Sequence, residues 1–218
     1  DGCGEASRLS LDELRGLDAA YRYSPDEGAS FPLRGQGVTI PTLSEVLSAF
    51  PAQRINVEIK DGRAGPRAHE IIETAGAGHR VLIAAGRKAD RMAVNGYDGP
   101  TSASEEEIRA FYLRHRLHLG RFYRAGFDAF QLPHRHEGRE IPTPRFVRDA
   151  HRLNLAVHVW TVDEVDDMRR LLEAGVDGIV TDRPDRLARV LHEERGRPLP
   201  PGPPAAGKPG YMERLLLA

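Results

Sequence analysis

Two oppositely charged side chains stand two positions apart within residues 54–60, in a pattern that suits ligand chemistry. Apolar and polar residues alternate along this segment, and strand side chains point to opposite faces with a period of two. The pattern therefore predicts a strand with an apolar outer face and a polar inner face. The outer face carries Ile55, Val57 and Ile59, and the inner face carries Asn56, Glu58 and Lys60.

The inner-face pair predicts a site for ligands of both charge signs. Inside a parallel sheet covered by helices, a carboxylate and an ammonium are each costly to desolvate unless they are partnered. A cation is the natural partner of Glu58, and an anion such as phosphate is the natural partner of Lys60. The structural alternative is a buried Glu58–Lys60 ion pair without a ligand, and these residues alone favour that alternative.

The elements that position this pair alternate regularly from about residue 54 onward. Short apolar runs predict six strands, at residues 55–60, 81–85, 101–103, 128–132, 156–162 and 178–182. Amphipathic stretches predict helices at residues 67–75, 88–94, 104–115, 144–153, 164–174 and 186–194. This repeated order of strand and helix predicts an α/β fold with a parallel sheet.

Several residues mark the predicted helix starts. Ser104 followed by Glu107 fits a capping box, and Pro144 fits the first position of the helix that follows Thr143. Asp163 and Asp185 are in turn predicted to cap the helices at residues 164–174 and 186–194.

The two ends of the chain differ from this rhythm. Short helices are predicted at residues 11–17 and 43–50, and residues 21–37, rich in Gly, Pro, Ser and aromatic residues, predict an ordered excursion loop between them. Pro and Gly dominate residues 195–210, which predicts a disordered tail. The expected organisation is one domain over residues 1–195 followed by a tail over residues 196–218.

Composition excludes several classes of protein. The 218 residues carry a formal net charge of −1, so no global field recruits nucleic acid. The single Cys3 excludes an internal disulfide and a cysteine-rich metal site. No apolar run approaches the length of a membrane span. A cytoplasmic protein is expected, with secretion or membrane attachment left open, because the chain begins at Asp1 and a targeting signal would lie upstream.

Five phrases, taken in order, resemble the glycerophosphodiester phosphodiesterase family from residue 9 to about residue 194. They are Leu-Arg-Gly-Leu-Asp-Ala-Ala-Tyr at 14–21, Arg-Gly-Gln-Gly-Val-Thr-Ile-Pro-Thr-Leu at 34–43, Asn-Val-Glu-Ile-Lys at 56–60, Val-His-Val-Trp-Thr-Val at 157–162 and Gly-Val-Asp-Gly-Ile-Val-Thr-Asp-Arg-Pro at 175–184. No single phrase is diagnostic, but chance agreement in this order and spacing is improbable.

The resemblance implies a TIM (β/α)8 barrel of the phospholipase C-like phosphodiesterase type. It implies hydrolysis of glycerophosphodiesters to glycerol 3-phosphate and an alcohol, as part of lipid and glycerol metabolism, with a divalent metal, Mg²⁺ or Ca²⁺. By this resemblance Glu58 matches the metal-ligating glutamate of the third barrel strand, and Lys60 the lysine that holds the phosphate. Trp160 matches a tryptophan that lines the substrate side of the pocket, and Gln131 a polar pocket residue.

The family's phrases for its first two strands are missing from the sequence. These His-Arg-Gly, Glu-Asn-Thr, Glu-x-Asp and His-Asp phrases supply both acid/base histidines and two of three metal carboxylates. The chain is therefore expected to be an amino-terminally truncated member with six strands of eight. Its catalytic residues are unknown, and the fragment itself is expected to be inactive.

Two alternatives stay open beside this expectation. One is a non-catalytic phosphate-binding or scaffolding relative, and the other is a lysophospholipase D-like activity. The expected partners are small-molecule glycerophosphodiesters or lysophospholipids, without nucleic acid, and the oligomeric state is left open.

The remaining polar candidates are predicted to be structural. His134 and His136 are expected to be exposed loop residues because no carboxylate stands near them at ligand spacing. His158 is expected to be a hydrogen-bonded core histidine, and Asp182 a structural residue at a strand end. Trp160 fills the barrel or lines the pocket, with neither alternative favoured by the sequence.

Overall fold

The elements follow the apolar periodicity of the chain, and a computed structural model describes them for residues 1–26, 28–136 and 138–200. These residues form two compact units, one spanning Asp1–Phe50 and the other starting at Pro51. Most of the predicted tail, residues 201–218, lies outside the described residues. The division into a domain at 1–195 and a tail at 196–218 stays a prediction.

The first unit contains two short helices, α1 (Leu11–Arg15) and α2 (Leu43–Ala49), close to the predicted positions. Each begins with a capping box, in which Ser10 or Thr42 exchanges hydrogen bonds with the glutamate three residues later. These side chains satisfy amide groups that the first helical turn leaves without partners.

The excursion loop between α1 and α2 is held by one arginine. The Arg34 guanidinium lies over two aromatic rings, 4.3 Å from the centroid of Tyr21 and 3.9 Å from that of Phe31. Its Nε donates to the Tyr21 carbonyl at 2.8 Å. The Gly35 amide, at a φ of 71° that favours glycine, donates to the Asp18 carboxylate at 2.8 Å. The described part of the loop is thus ordered by its own side chains, as its composition predicts.

The second unit contains the predicted parallel strands and one unpredicted hairpin. The strands are β1 (Ile55–Glu58), β2 (Val81–Ala84), β3 (Ala129–Pro133), β4 (Arg135–His136), β5 (Arg139–Glu140), β6 (Ala156–Trp160) and β7 (Gly178–Ile179). β4 and β5 pair with each other as the antiparallel hairpin. All other pairings are parallel, which confirms the predicted α/β class.

The helices of this unit occupy the predicted intervals to within a few residues. They are α3 (Gly65–Thr74), α4 (Lys88–Met92), α5 (Glu105–Arg116), α6 (Pro144–His151), α7 (Val165–Ala174) and α8 (Pro184–Arg195). Gly175, at a φ of 87°, ends α7 in the left-handed conformation that glycine adopts without strain.

The parallel strands lie side by side in chain order. β1 pairs with β2, and β3 pairs with β6, which pairs with β7. The bridges Ile83–Thr101 and Ser102–Ala129 insert the predicted short strand between β2 and β3. This order is that of a TIM-barrel-type fold. Within the described residues no pairing joins β7 back to β1, so the barrel is not closed.

The main core lies between the outer face of the sheet and its helices. Phe111 of α5 is fully buried, with its ring centroid 4.7 Å from that of Phe130 on β3 and 5.1 Å from that of Phe146 on α6. Val157 and Val159 of β6 are also fully buried on this face. Tightly packed aromatic and β-branched side chains therefore fix the helices on one side of the sheet.

The predicted cap residues divide into two groups. Ser104 and Glu107 form the expected capping box on α5, and Thr143 accepts from the Phe146 amide at 3.2 Å. Pro144 occupies the first turn of α6, as predicted.

The predictions for Asp163 and Asp185 are wrong. The Asp163 carboxylate does not cap α7 but accepts from the Thr181 hydroxyl and the Asp182 amide, both at 2.8 Å, across to the end of the next strand. α8 begins at Pro184, so Asp185 lies inside its first turn and pairs with Arg183. A proline suits a first helical position because it needs no amide donor there.

Candidate active site

The candidate site begins with the side chains of β1, which divide between two faces of the sheet. Ile59, just beyond the strand, is buried, whereas Asn56, Glu58 and Lys60 are exposed together. The Lys60 Nζ lies 2.6 Å from Glu58 Oε1, which confirms that the two side chains share a face. Both stand at the carboxyl end of β1, the edge at which parallel α/β folds place their sites.

The expected burial of this pair is wrong. The Lys60 side chain is 78% exposed and the Glu58 side chain 46% exposed, because the open sheet lets water reach its inner face. An ion pair in water is worth only about 0–1 kcal/mol. The pair therefore adds little to stability, and Lys60 loses little when it turns from Glu58 to another anion.

The loops that follow β1 and β2 are tied together by a network that the sequence analysis missed. Asp61, directly after Lys60, accepts from the Arg63 side chain, and this bonding lowers the pKa of Asp61 to about 2. Buried Asp90 accepts from the Gly62 amide at 3.2 Å and from Arg87 Nε at 2.7 Å. The position of Asp61 at a strand end is the one sequence signal that points to this network.

Trp160 and Gln131 lie on neighbouring strands, and their side chains point to the same face of the sheet. Pro133 of β3 pairs with Trp160 of β6, and Gln131 pairs with His158, so all four side chains share one face. Trp160 is 45% exposed, so its indole is accessible on the inner face of the open sheet. Within the described residues no hydrogen bond or ion pair joins Trp160 or Gln131 to Glu58 or Lys60, whose strand β1 is separated from β6 by three others.

His158 differs from its prediction as a hydrogen-bonded core residue. It is half-buried, and within the described part of the chain its ring makes no hydrogen bond. Burial lowers the pKa of His158, while the charge of Asp177 opposes the shift. The ring lies directly over Gly178, where a Cβ atom would stand 2.8 Å from His158 Cδ2. A neutral imidazole therefore faces the same side as Gln131 and Trp160.

The prediction for His134 as an exposed loop residue without a carboxylate is also wrong. His134 is half-buried, with Nδ1 3.5 Å from Asp167 Oδ2. Burial alone would raise the pKa of Asp167, but hydrogen bonding to Arg170 and the charge of Arg135 together lower it. His136 is exposed on β4, as expected. The partner of His134 was missed because it stands 33 residues away, at the start of α7.

Asp182 conforms to its structural prediction. Its backbone amide donates to Asp163, and its side chain is exposed. This bond joins the ends of two neighbouring strands. In the described contacts, neither the Asp163 carboxylate nor the Asp182 carboxylate is directed at Glu58.

The implied divalent metal does not fit the described residues by themselves. Within residues 1–26, 28–136 and 138–200, no three His, Cys, Asp or Glu side chains come together as a metal ligand set. Mg²⁺ and Ca²⁺ need about six oxygen ligands, and Glu58 offers one carboxylate that already contacts Lys60. Across the same ranges, no helix has the length and apolar character to cross a bilayer.

Comparison with known proteins finds relatives among the glycerophosphodiester phosphodiesterases. The sequence model of the "Glycerophosphoryl diester phosphodiesterase family" matches residues 111–186. "Probable glycerophosphodiester phosphodiesterase 2" of Mycobacterium tuberculosis is 39% identical over 164 residues, which cover 72% of this chain. The matched region spans 62% of that relative's length.

Solved structures share the fold at low sequence identity. The glycerophosphoryl diester phosphodiesterase domain of a Mycobacterium tuberculosis protein superposes with a TM-score of 0.72 at 17% identity, over 88% of this chain and 78% of that one. An Oleispira antarctica phosphodiesterase, solved with its product sn-glycerol-3-phosphate, gives a TM-score of 0.58 at 17% identity, over 87% of this chain and 73% of that one. With the ordered phrases and the parallel βα architecture, these findings support the assignment of the chain to the glycerophosphodiester phosphodiesterase family.

Proposed function

We propose that the protein hydrolyses glycerophosphodiesters to glycerol 3-phosphate and an alcohol. The observation that carries this proposal is the Lys60 ammonium, exposed at the carboxyl edge of the sheet and held 2.6 Å from Glu58. Similarity to the glycerophosphodiester phosphodiesterase family supplies the reaction class, and the product found in the Oleispira antarctica phosphodiesterase is consistent with it.

Lys60 is the group proposed to bind the phosphate. An ammonium is a compact charge with three donors, which suits a nonbridging phosphate oxygen and the charge that develops on it during P–O cleavage. Its exposure means that a substrate phosphate can reach it without any rearrangement of the core. On the inner face this ammonium contacts Glu58, in an exposed pair that a substrate phosphate could displace at little cost.

Glu58 is further proposed as one ligand of a divalent metal, Mg²⁺ or Ca²⁺. When bound, such an ion would polarise the phosphodiester as a Lewis acid. The described residues bring no three potential ligands together, so the proposal requires further ligands. For the same reason we expect the 218-residue polypeptide alone to show little or no turnover.

Trp160 and Gln131 are proposed to bind the remainder of the substrate. The exposed indole offers an apolar surface for a glycerol or alcohol carbon chain, and the half-buried amide of Gln131 offers a donor and an acceptor on the same face. His158, next to Gln131 across the strands, adds a neutral imidazole to this surface.

Calorimetric titration of the 218-residue chain with glycerol 3-phosphate tests the phosphate site. Lys60→Met is expected to weaken binding by about ten- to a hundredfold, because a hydrogen bond to a charged group contributes about 1.5–3 kcal/mol. Lys88→Met is the matched control, since Lys88 is comparably exposed and contacts Glu107 instead. Equal losses in the two variants would contradict a phosphate site at Lys60.

Hydrolysis assays separate catalysis from binding alone. Glycerophosphocholine and lysophosphatidylcholine are each offered to the chain with Mg²⁺ or Ca²⁺. Rapid turnover that Glu58→Gln abolishes would show that the described residues suffice, against our expectation. Binding of glycerol 3-phosphate without turnover in any longer form of the protein would instead favour a non-catalytic phosphate-binding relative.

A further inference from the structure

An unusual concentration of exposed apolar side chains lies far from the candidate site, on α5 and the turn that follows it. We name it the α5 patch; it comprises Tyr112, Leu113, Leu117, Leu119 and Phe122. Leu113 and Leu117 are each 60% exposed, and Phe122 is 63% exposed. A group of large, exposed apolar side chains within eleven consecutive residues is typical of an interaction site.

The helix geometry explains why the α5 patch faces water. Phe111 and His115 are buried against the core, and Leu113 stands two residues from each, which places it about 160° away around the helix. Leu117 follows four residues later on the same face. The burial of Phe111 therefore fixes the exposure of Leu113 and Leu117. These side chains cannot turn inward without unpacking the aromatic core.

The turn after α5 continues the patch. The Leu119 amide donates to the Arg114 carbonyl at 2.8 Å, and the Tyr123 ring packs edge-on against Phe111 at 5.4 Å. These two anchors hold the short helical turn Gly120–Phe122 against the end of α5. Leu119 and Phe122 remain exposed in this anchored turn.

The charged residues of the segment that carries the patch are all basic, and one of them, Arg109, pairs with Glu105 just before the segment. Residues 108–127 contain five arginines and no Asp or Glu, although the whole chain has a net charge of −1. All five are exposed: Arg109, Arg114, Arg116, Arg121 and Arg124. Arg116 and Arg124 make no ion pair within the described part of the chain. Arg121 lies over the Phe122 ring, with its Cζ 4.6 Å from the centroid.

We infer that the α5 patch binds the surface of an anionic phospholipid bilayer. Leu and Phe side chains insert into the boundary between headgroups and acyl chains, and the surrounding arginines bind lipid phosphates. A second copy of the chain fits less well, because a two-fold contact places the arginines of one copy against those of the other.

The location of the patch determines how the protein would sit on a membrane. In a parallel α/β fold the helices run antiparallel to the strands, so the end of α5 lies at the amino edge of the sheet. Glu58 and Lys60 lie at the opposite, carboxyl edge. A bound protein therefore directs the candidate site toward water. This consequence rests on the proposed function, and it favours water-soluble glycerophosphodiesters over lysophospholipids embedded in the bilayer.

Vesicle co-sedimentation of the 218-residue chain tests the inference. Vesicles of phosphatidylcholine mixed with phosphatidylserine are expected to bind the chain, and added salt or phosphatidylcholine alone is expected to weaken binding. The double variant Leu113→Gln/Phe122→Gln should lower the partition coefficient by at least about tenfold, because it removes inserted apolar surface. Arg116→Gln and Arg121→Gln should each lower it about fivefold.

The matched control is the double variant Arg22→Gln/Tyr23→Gln, which removes one exposed arginine and one exposed aromatic residue from the first unit. Its vesicle binding should equal that of the wild type. Absence of binding, or equal losses in control and patch variants, would overturn the inference. Self-association that the patch variants abolish would overturn it as well, and would assign the patch to contacts between copies. None of these outcomes depends on catalysis, so they are separate from the test of the proposed function.

Discussion

The two faces of the sheet differ in what they do for the protein. The outer face carries fully buried residues such as Phe130 and Val157, packed against Phe111. The inner face at β1 carries Glu58 and Lys60 in water, in contact with each other. Stability therefore resides on one face and candidate chemistry on the other, so substitutions on the two faces should have separable effects.

The largest expected effect on stability comes from the outer face. Phe111→Ala should lower the free energy of unfolding by about 3–5 kcal/mol, because it removes a fully buried ring and leaves a cavity among Phe130 and Phe146. Urea denaturation followed by circular dichroism measures the change. Glu58→Gln, the inner-face counterpart, should change it by less than about 0.5 kcal/mol. Similar losses in the free energy of unfolding for both variants would contradict the proposed difference between the two faces.

Gly178 tests how tightly part of the inner face is packed. Gly178→Ala should lower the free energy of unfolding by about 1–3 kcal/mol, since the new methyl group would lie 2.8 Å from the His158 ring. Gly126→Ala is the matched control, because a Cβ at that position has no atom within 4 Å. Equal free energies of unfolding for the two variants in urea denaturation would contradict the close approach of His158 to β7.

The smallest expected effect is a pH dependence from His158. Burial lowers the pKa of His158 in the folded state, so the unfolded chain takes up this proton first as the pH falls below 6.5. Stability is unaffected by this group above that pH, and it declines as the pH falls further. His158→Gln should reduce the decline measured by thermal unfolding at successive pH values, whereas His136→Gln, at an exposed site, should not. An unchanged decline in His158→Gln would show that another group is responsible.

The sequence was sufficient for features that depend on local periodicity. The alternation at 54–60 correctly placed Glu58 and Lys60 on one face. Five of the six predicted parallel strands occur close to the predicted positions, and the sixth, at 101–103, is present as two isolated bridges. The capping box of Ser104 was likewise predictable, because both of its partners lie within one helical turn.

The errors concern interactions that join distant parts of the chain. Asp163 binds the end of a strand 18 residues away, and His134 meets a carboxylate on another helix, so neither partner can be read from local spacing. The exposure of Lys60 depends on which other strands enclose the inner face of the sheet. The local alternation of residues carries no information about those strands. The metal and substrate roles of Glu58, Trp160 and Gln131 remain predictions for the same reason, since a site is assembled from several strands.

The central claim is that Lys60 binds the substrate phosphate at an accessible inner face. The chain contains only three lysines, Lys60, Lys88 and Lys208, so an NMR spectrum of the protein labelled at lysine side chains resolves them individually. Titration with glycerol 3-phosphate should shift the side-chain signal of Lys60 in a saturable manner and leave that of Lys88 in place. A saturable shift confined to Lys88, or no shift at Lys60 at saturating ligand, would contradict the account.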